Sequence, residues 1–297
     1  MTRLRGCGTA LVTPFDRSGA VDERALRELV EWQVAEGIDF LVPCGSTGEA
    51  QTLDPRERER VVAIVLEAAA GRVPVMAGAT SNDTARAVEE TRRMCALGVA
   101  WILSAAPYYN KPTPEGLFRH FSAVADASTR PVCLYNIPGR TGVNIAPSTV
   151  LRLAAHPNIR AIKESSGDVP QMTELLRRRR DDFAVLAGDD WVALPLIALG
   201  GDGLVSVTSN EVPRLMAELV RAALRGDFAA ARALHFRLLP LMQANFLESN
   251  PGPVKAALAL MGRIEDVLRL PLVPVTDATR TALAAALDEL GVTSHAR

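Results

Sequence analysis

Eight times along roughly the first two-thirds of the chain, a short apolar run rich in β-formers precedes a longer amphipathic stretch of Ala, Leu, Arg and Glu. The runs at 8–12, 40–43, 73–77, 100–104, 132–135, 159–163, 184–187 and 203–207 read as strands. Stretches such as 22–36, 55–70, 83–97, 114–127 and 147–155 read as the helices between them. Alternation of this kind builds a parallel sheet, and eight βα units are the number that closes a TIM barrel. After the eighth strand the alternation stops, and 212–225, 228–245, 252–260 and 277–290 read as successive helices. The expected fold is therefore an α/β protein, a (β/α)8 barrel over 1–225 with a helical extension over 226–297 packed on it. No Gly/Ser or Pro-rich linker separates the two.

A chain of 297 residues has the mass for one such barrel. Its formal net charge is -1 with acids and bases interspersed, so neither a nucleic-acid partner nor a charged-tail partner is expected. It contains no long uncharged apolar span, so no membrane helix is expected. Cys7, Cys44, Cys95 and Cys133 form no C-x-x-C pair and read as small buried hydrophobes in a reducing, cytoplasmic setting. His120, His156, His235 and His295 are equally scattered, and no metal site is expected. Leu4-Arg5-Gly6-Cys7 has the look of a lipoprotein cleavage box, but no apolar segment precedes it, so processing there is not expected. The run Arg177-Arg178-Arg179-Arg180 reads as a solvated helix end.

In a barrel of this type the chemistry gathers where strands end and loops begin. Those positions are polar or glycine-rich here: Gly45-Ser46-Thr47-Gly48-Glu49, Pro107-Tyr108-Tyr109-Asn110, Tyr135-Asn136, Lys163-Glu164-Ser165-Ser166, Gly188-Asp189-Asp190 and Ser206-Val207-Thr208. Lysine is scarce, with Lys111, Lys163 and Lys255 alone among 33 basic residues, and Lys163 ends an apolar strand. A chain that meets its needs for positive charge with arginine has a chemical reason to place lysine there. The amine can lose its proton and attack a carbonyl, whereas guanidinium stays protonated. Strand alternation turns Lys163 and Ala161 to one face and Ile162 to the other; if Ile162 faces the helices, Lys163 faces the barrel axis. Desolvation there disfavours the charged amine and suits imine formation with a ketone. Tyr135 ends the neighbouring strand, and Ser46 and Tyr109 carry hydroxyls able to pass protons onward. The Gly45–Glu49 turn could present backbone N–H groups and hydroxyls to a carboxylate, and Arg140 could grip a second one bidentately.

Six motifs then stand in register: G-S-T-G-E at 45–49, P-Y-Y-N-K-P at 107–112, Y-N-I-P-G-R-T-G at 135–142, I-K-E-S-S-G-D at 162–168, A-G-D-D at 187–190 and S-N-P-G-P-V-K at 249–255. Together they resemble the pyruvate-dependent class I aldolase family that contains dihydrodipicolinate synthase and N-acetylneuraminate lyase, over nearly the whole chain. The resemblance implies that Lys163 forms the Schiff base with pyruvate and Tyr135 donates and accepts the proton. It implies that Ser46 and Tyr109 complete the relay, with Tyr109 reaching into a neighbouring subunit's site. Thr47 and the backbone at Val205 would hold the pyruvate moiety, with Gly188 also against substrate, and Arg140 would bind the second substrate's carboxylate. No cofactor or metal is implied, and the implied assembly is a homotetramer built as a dimer of dimers.

Within that family, the Arg140 spacing and the double-tyrosine motif favour condensation of pyruvate with L-aspartate 4-semialdehyde to 4-hydroxy-tetrahydrodipicolinate. Ser46-Thr47 departs from the two threonines usual in the synthases, which leaves open a sugar-acid or N-acetylneuraminate-like aldehyde. A non-catalytic pyruvate-binding regulator is the third reading, disfavoured because binding alone needs no proton relay. Relatives inhibited by lysine usually carry an acid at the position of Arg86 and often a histidine at that of Arg58. Insensitivity to L-lysine is expected.

Overall fold

The computed structural model describes residues 3–292, and His295 lies outside the described residues, as do the extreme ends of the 1–225 and 226–297 spans. Strand and helix alternate as the sequence pattern requires. The first half runs β1 (Gly6–Ala10), α1 (Glu23–Ala35), β2 (Phe40–Val42), α2 (Pro55–Ala69), β3 (Met76–Gly78), α3 (Thr84–Ala96), β4 (Trp101–Ala105) and α4 (Pro114–Ala127). The second half runs β5 (Val132–Asn136), α5 (Pro138–Thr141), α6 (Pro147–Leu153), β6 (Ile159–Glu164), α7 (Val169–Arg178), β7 (Ala184–Ala187), α8 (Ala193–Ala198) and β8 (Gly203–Ser206). Four further helices follow, α9 (Pro213–Leu224), α10 (Phe228–Ala244), α11 (Gly252–Leu260) and α12 (Asp277–Leu290).

Helix starts are set by side chains that satisfy the first free N–H groups. Asp22 accepts from Ala25, Asp168 from Gln171 and Thr276 from Thr279. At α2, Asp54 and Glu57 cap each other reciprocally while Pro55 opens the helix, which needs no N–H at that position. These polar and proline positions are why the helix boundaries read from sequence fall within two residues of the observed ones.

The strands form one parallel sheet in the order β2-β1-β8-β7-β6-β5-β4-β3. Its two edges meet: Leu41 bridges Val75 in parallel, and the N–H of Gly78 donates to Pro43 O at 3.0 Å, so the barrel closes. Side chains divide cleanly between its two faces. Phe40, Val42, Met76, Leu103, Cys133, Ala161, Leu186 and Val205 pack inside, whereas Ile102, Leu134, Ile162, Val185 and Leu204 pack outward against the helices. The four cysteines are free, and Cys7, Cys44 and Cys133 are buried.

The Arg177–Arg180 run departs from expectation. Arg177 and Arg178 are solvated and pair with Glu174, as a helix end should. Arg179, just past the helix, has extended backbone that turns its side chain inward, where it pairs with the buried Asp202 and donates to Gly200 O at 2.8 Å. Arg180 donates to Ala154 O at 2.9 Å. Half of the run is therefore a clamp at the entry of β7 and β8.

Candidate active site

A bulge aims Lys163. Between β5 and β6, Val132 pairs with Ile159 but Cys133 pairs with Ala161, so Arg160 is an extra residue on β6. From Ala161 onward the alternation is set as the sequence suggests: Ala161 inside, Ile162 outside, Lys163 opposite Tyr135 on one side and Leu186 on the other. Lys163 is 5% exposed, and its Nζ lies 4.2 Å from the centre of the Tyr135 ring. Among the described residues that Nζ has no hydrogen bond or ion pair. Gly188 closes over the lysine stem. A Cβ there would fall 1.9 Å from Ser165 Oγ and 2.8 Å from Lys163 Cε, so a larger residue would have to displace both side chains.

Tyr135 also lines a cavity of about 350 Å³, together with Gly45, Ser46, Arg58, Thr80, Tyr108 and Arg140. Ser46 and Arg140, which lie 94 residues apart in sequence, thus share one wall system with the tyrosine next to the lysine. Thr47 is buried and its Oγ1 accepts from Asn250 Nδ2 at 2.9 Å. Arg140, itself largely exposed, donates from Nη2 to Asn250 O at 2.9 Å. Asn250 therefore ties the turn at 45–49 to the arginine loop, a link that the S-N-P-G-P-V-K motif contained without revealing its role. Val205 sits inside the barrel on β8, paired with Gly8.

Tyr109 is not brought to this cavity. Its side chain is 89% exposed on a loop where it adopts φ 72°, and Tyr108 lines the cavity in its place. Lys111 is exposed beside it. Lys255 is buried in α11 with Nζ donating to Glu49 Oε1 at 2.7 Å and to Thr13 O at 3.0 Å. It braces the last residue of the G-S-T-G-E turn, and burial pulls its pKa down while Glu49 opposes that shift.

Other polar groups hold the strand ends. Glu164 accepts from Asn136 Nδ2 at 3.1 Å and from the Ser166 N–H at 2.7 Å, and burial raises its pKa. Asn136 Oδ1 accepts from the N–H of Ile145 at 2.9 Å. The residues immediately following Tyr135 and Lys163 thus pin the two strands that carry them. Asp190 accepts from Ser206 Oγ at 2.5 Å and from Thr208 Oγ1 at 3.0 Å, fixing the exit of β8. Among the described residues no cluster of His, Cys, Asp and Glu is arranged to hold a metal ion. None of their helices is long and apolar enough to cross a membrane.

A nucleophile able to form an imine, a phenol beside it, and a hydroxyl and a guanidinium across one cavity make up a site for carbonyl condensation. Comparison with known proteins agrees. The sequence model of the dihydrodipicolinate synthetase family matches residues 3–290. A 4-hydroxy-tetrahydrodipicolinate synthase from Acidobacterium capsulatum is 60% identical over 291 residues, covering 97% of this chain and 96% of its own. Another from Koribacter versatilis is 56% identical over 295 residues, covering 99% and 98%. Among solved structures, the chloride-inhibited dihydrodipicolinate synthase of Acinetobacter baumannii complexed with pyruvate superposes with a TM-score of 0.95 at 42% identity, over 97% of this chain and 99% of that one.

Proposed function

The chain belongs to the dihydrodipicolinate synthetase family, and from that premise we propose how its residues divide the work. The activity is that of a lyase that condenses pyruvate with L-aspartate 4-semialdehyde to 4-hydroxy-tetrahydrodipicolinate, a step of lysine and diaminopimelate biosynthesis. The observation that carries the mechanism is Lys163: a buried residue whose Nζ has no hydrogen bond or ion pair among the described residues and lies against Tyr135.

Lys163 attacks the ketone carbon of pyruvate, and the carbinolamine loses water to give the imine. Tyr135 delivers and removes the protons of that dehydration, with Ser46 and the neighbouring subunit's copy of Tyr109 relaying them to solvent. The high exposure of Tyr109 in a single chain supports this, since a phenol that serves another subunit has no place in its own. Thr47 and the Val205 backbone hold the pyruvate carboxylate and carbonyl end, Gly188 leaves room over the lysine, and Arg140 takes the carboxylate of the aldehyde. The enamine carbon then adds to the aldehyde, and the substrate's own nitrogen displaces Lys163 as the ring closes.

The assembly that supplies Tyr109 in trans is a homotetramer, a dimer of dimers, acting in the cytoplasm. Residues 1–225 form the catalytic barrel and 226–297 the extension, which reaches back through Asn250 and Lys255 to support the mouth. Arg58 lines the cavity and pairs with Glu90, and Arg86 lies exposed beside Asp83; arginine at these two positions, in place of the histidine and acid of lysine-inhibited relatives, supports insensitivity to L-lysine. L-lysine at millimolar concentration leaves turnover unchanged; inhibition in that range would overturn this point.

Borohydride reduction in the presence of pyruvate, followed by peptide mass analysis, tests the mechanism. An adduct on Lys163 is expected, and an unmodified Lys163 rules the imine out. A panel of L-aspartate 4-semialdehyde, N-acetylmannosamine and sugar aldehydes should give turnover with the first alone.

A further inference from the structure

A second cavity, of about 520 Å³, shares no lining residue with the one at the mouth. The end of α1, the start of α9, α10, the chain just after α11 and the end of α12 frame it. Trp32, Val212, Leu215, Met261, Leu290 and Val292 give it apolar walls, and Glu36, Glu211, Arg214, Arg237 and Arg263 are its charged groups. Their pairing is lopsided. Glu36 is gripped by Arg214, which donates from Nε at 2.8 Å and from Nη2 at 3.1 Å. The guanidinium groups of Arg237 and Arg263 have no hydrogen bond or ion pair among the described residues. Arg237 is exposed, but Arg263 is half-buried, its guanidinium 3.3 Å from the centre of the Trp32 ring. Burial pulls the Arg263 pKa down, opposed by Glu36. A hollow on the other side of Arg263 holds Asp22, Glu28 and Glu265, yet each is committed: Asp22 caps α1, Glu28 pairs with Arg24 and Glu265 with Arg17.

Glu211 brings no free negative charge to the cavity. It is 1% exposed, and burial pushes its carboxyl well above the usual range, which favours the neutral form. Its Oε2 accepts from Asn245 Nδ2 at 2.7 Å, which leaves the buried and unpartnered Oε1 to carry the proton. Beside it α9 starts without a side-chain cap, and the N–H groups of Arg214 and Leu215 have no acceptor. The cavity therefore offers two unpaired guanidinium groups, an acid proton and the positive end of a helix, with no uncommitted anion to meet them. We propose that it binds a small organic anion, a carboxylate or phosphate carried on a flat apolar body. Stacking on Trp32 leaves the N–H edge of Arg263 free to grip the anionic group, and such charge-assisted hydrogen bonds are the strong ones. The apolar walls take the body, and the volume is that of a small-molecule site, about 300–1,000 Å³. The anion binds whether or not Lys163 carries pyruvate.

Isothermal titration of the wild-type protein with phenyl phosphate, benzoate, inorganic phosphate and benzyl alcohol tests the site. Saturable binding of phenyl phosphate or benzoate is expected, and the tighter of the two identifies the anion as phosphate or carboxylate. Inorganic phosphate, which lacks the body, should bind about 10-fold more weakly, and benzyl alcohol, which lacks the charge, not at all. Arg263→Gln should weaken the tighter ligand about 10-fold or more, the scale of a lost charged hydrogen bond. Arg237→Gln, at the exposed rim, should weaken it about 3-fold, and Arg140→Gln at the mouth should leave it unchanged. Saturation should alter the protein's tryptophan fluorescence, and Trp32→Phe should remove that change. No saturable binding, inorganic phosphate or benzyl alcohol binding as tightly as the aryl anions, full affinity in Arg263→Gln, or a loss in Arg140→Gln overturns the proposal. Should Arg263→Gln not fold, the Trp32→Phe comparison decides, and a fluorescence change that survives it overturns the site.

Discussion

Lys163 and Lys255 make a controlled pair. Both are buried, at 5% and 0% exposure, and each places Nζ 4.2 Å from the centre of an aromatic ring, Tyr135 for one and Phe15 for the other. They differ in what else the amine meets. Lys255 has Glu49 at 2.7 Å and the Thr13 carbonyl at 3.0 Å. Lys163 has neither kind of acceptor among the described residues, but it has a cavity-lining tyrosine and a glycine cut away above its stem. Burial and an aromatic neighbour are therefore common to both roles. What separates a lysine that holds the fold from one that reacts is whether its proton donors are already spoken for.

The largest effect that would break this contrast is on turnover. Lys163→Arg keeps a charge but offers no nucleophile, and kcat should fall by about 10⁴-fold or more, as when other covalent nucleophiles are removed. Steady-state assay with pyruvate and L-aspartate 4-semialdehyde reads this, and residual activity above that level would mean the amine is not the nucleophile. Tyr135→Phe comes next. The ring beside Lys163 remains while the hydroxyl is lost, so pyruvate should still be trapped, but more slowly, with kcat lowered about 10²- to 10⁴-fold. A loss below 10-fold would move the proton transfer to another group.

The third prediction concerns the other lysine. Lys255→Met leaves Glu49 buried without its cation, and breaking such a pair costs about 3–5 kcal/mol. For a chain of this size that lowers the thermal midpoint by about 10 °C. Adding Glu49→Gln should recover part of the loss, because the orphaned charge goes with it. Thermal unfolding of the two variants measures both; an unshifted midpoint in Lys255→Met would show that the pair is not what braces the turn at 45–49.

The sequence made one lysine legible and left the other obscure, for a physical reason. Lys163 sits on a strand, where alternation assigns a face to each residue, and the apolar run declares the burial. The bulge at Arg160 did not spoil this, because the alternation was read from Ala161 onward, beyond the extra residue. Lys255 owes its environment to Glu49 and Thr13, each more than 200 residues away, and no local period encodes such a pairing. The same limit hid Asn250, which joins Thr47 to Arg140, and the inward turn of Arg179 onto Asp202. Elements with strong local caps, such as α2 with Asp54, Pro55 and Glu57, were legible nearly to the residue. Tyr109 belongs with the hidden residues: the double-tyrosine motif does not say which ring turns inward, and Tyr108 lines the cavity while Tyr109 is exposed.

The smallest expected effect is the most discriminating. Lys163→Met replaces the amine by an unbranched apolar chain of similar length that tolerates irregular surroundings. If Lys163 has no acceptor in the folded state, its removal orphans nothing, and the partial desolvation of its amine disappears with it. The folded state should then be unchanged or stabilised by up to about 1 kcal/mol, a midpoint at or a few degrees above wild type. The same substitution at Lys255 is expected to do the opposite by a larger margin. A drop of more than about 4 °C in Lys163→Met would mean that the amine has a structural partner in the assembled protein, such as an ordered water or a neighbouring subunit. The lysine would then need to be freed from that partner before it could attack pyruvate.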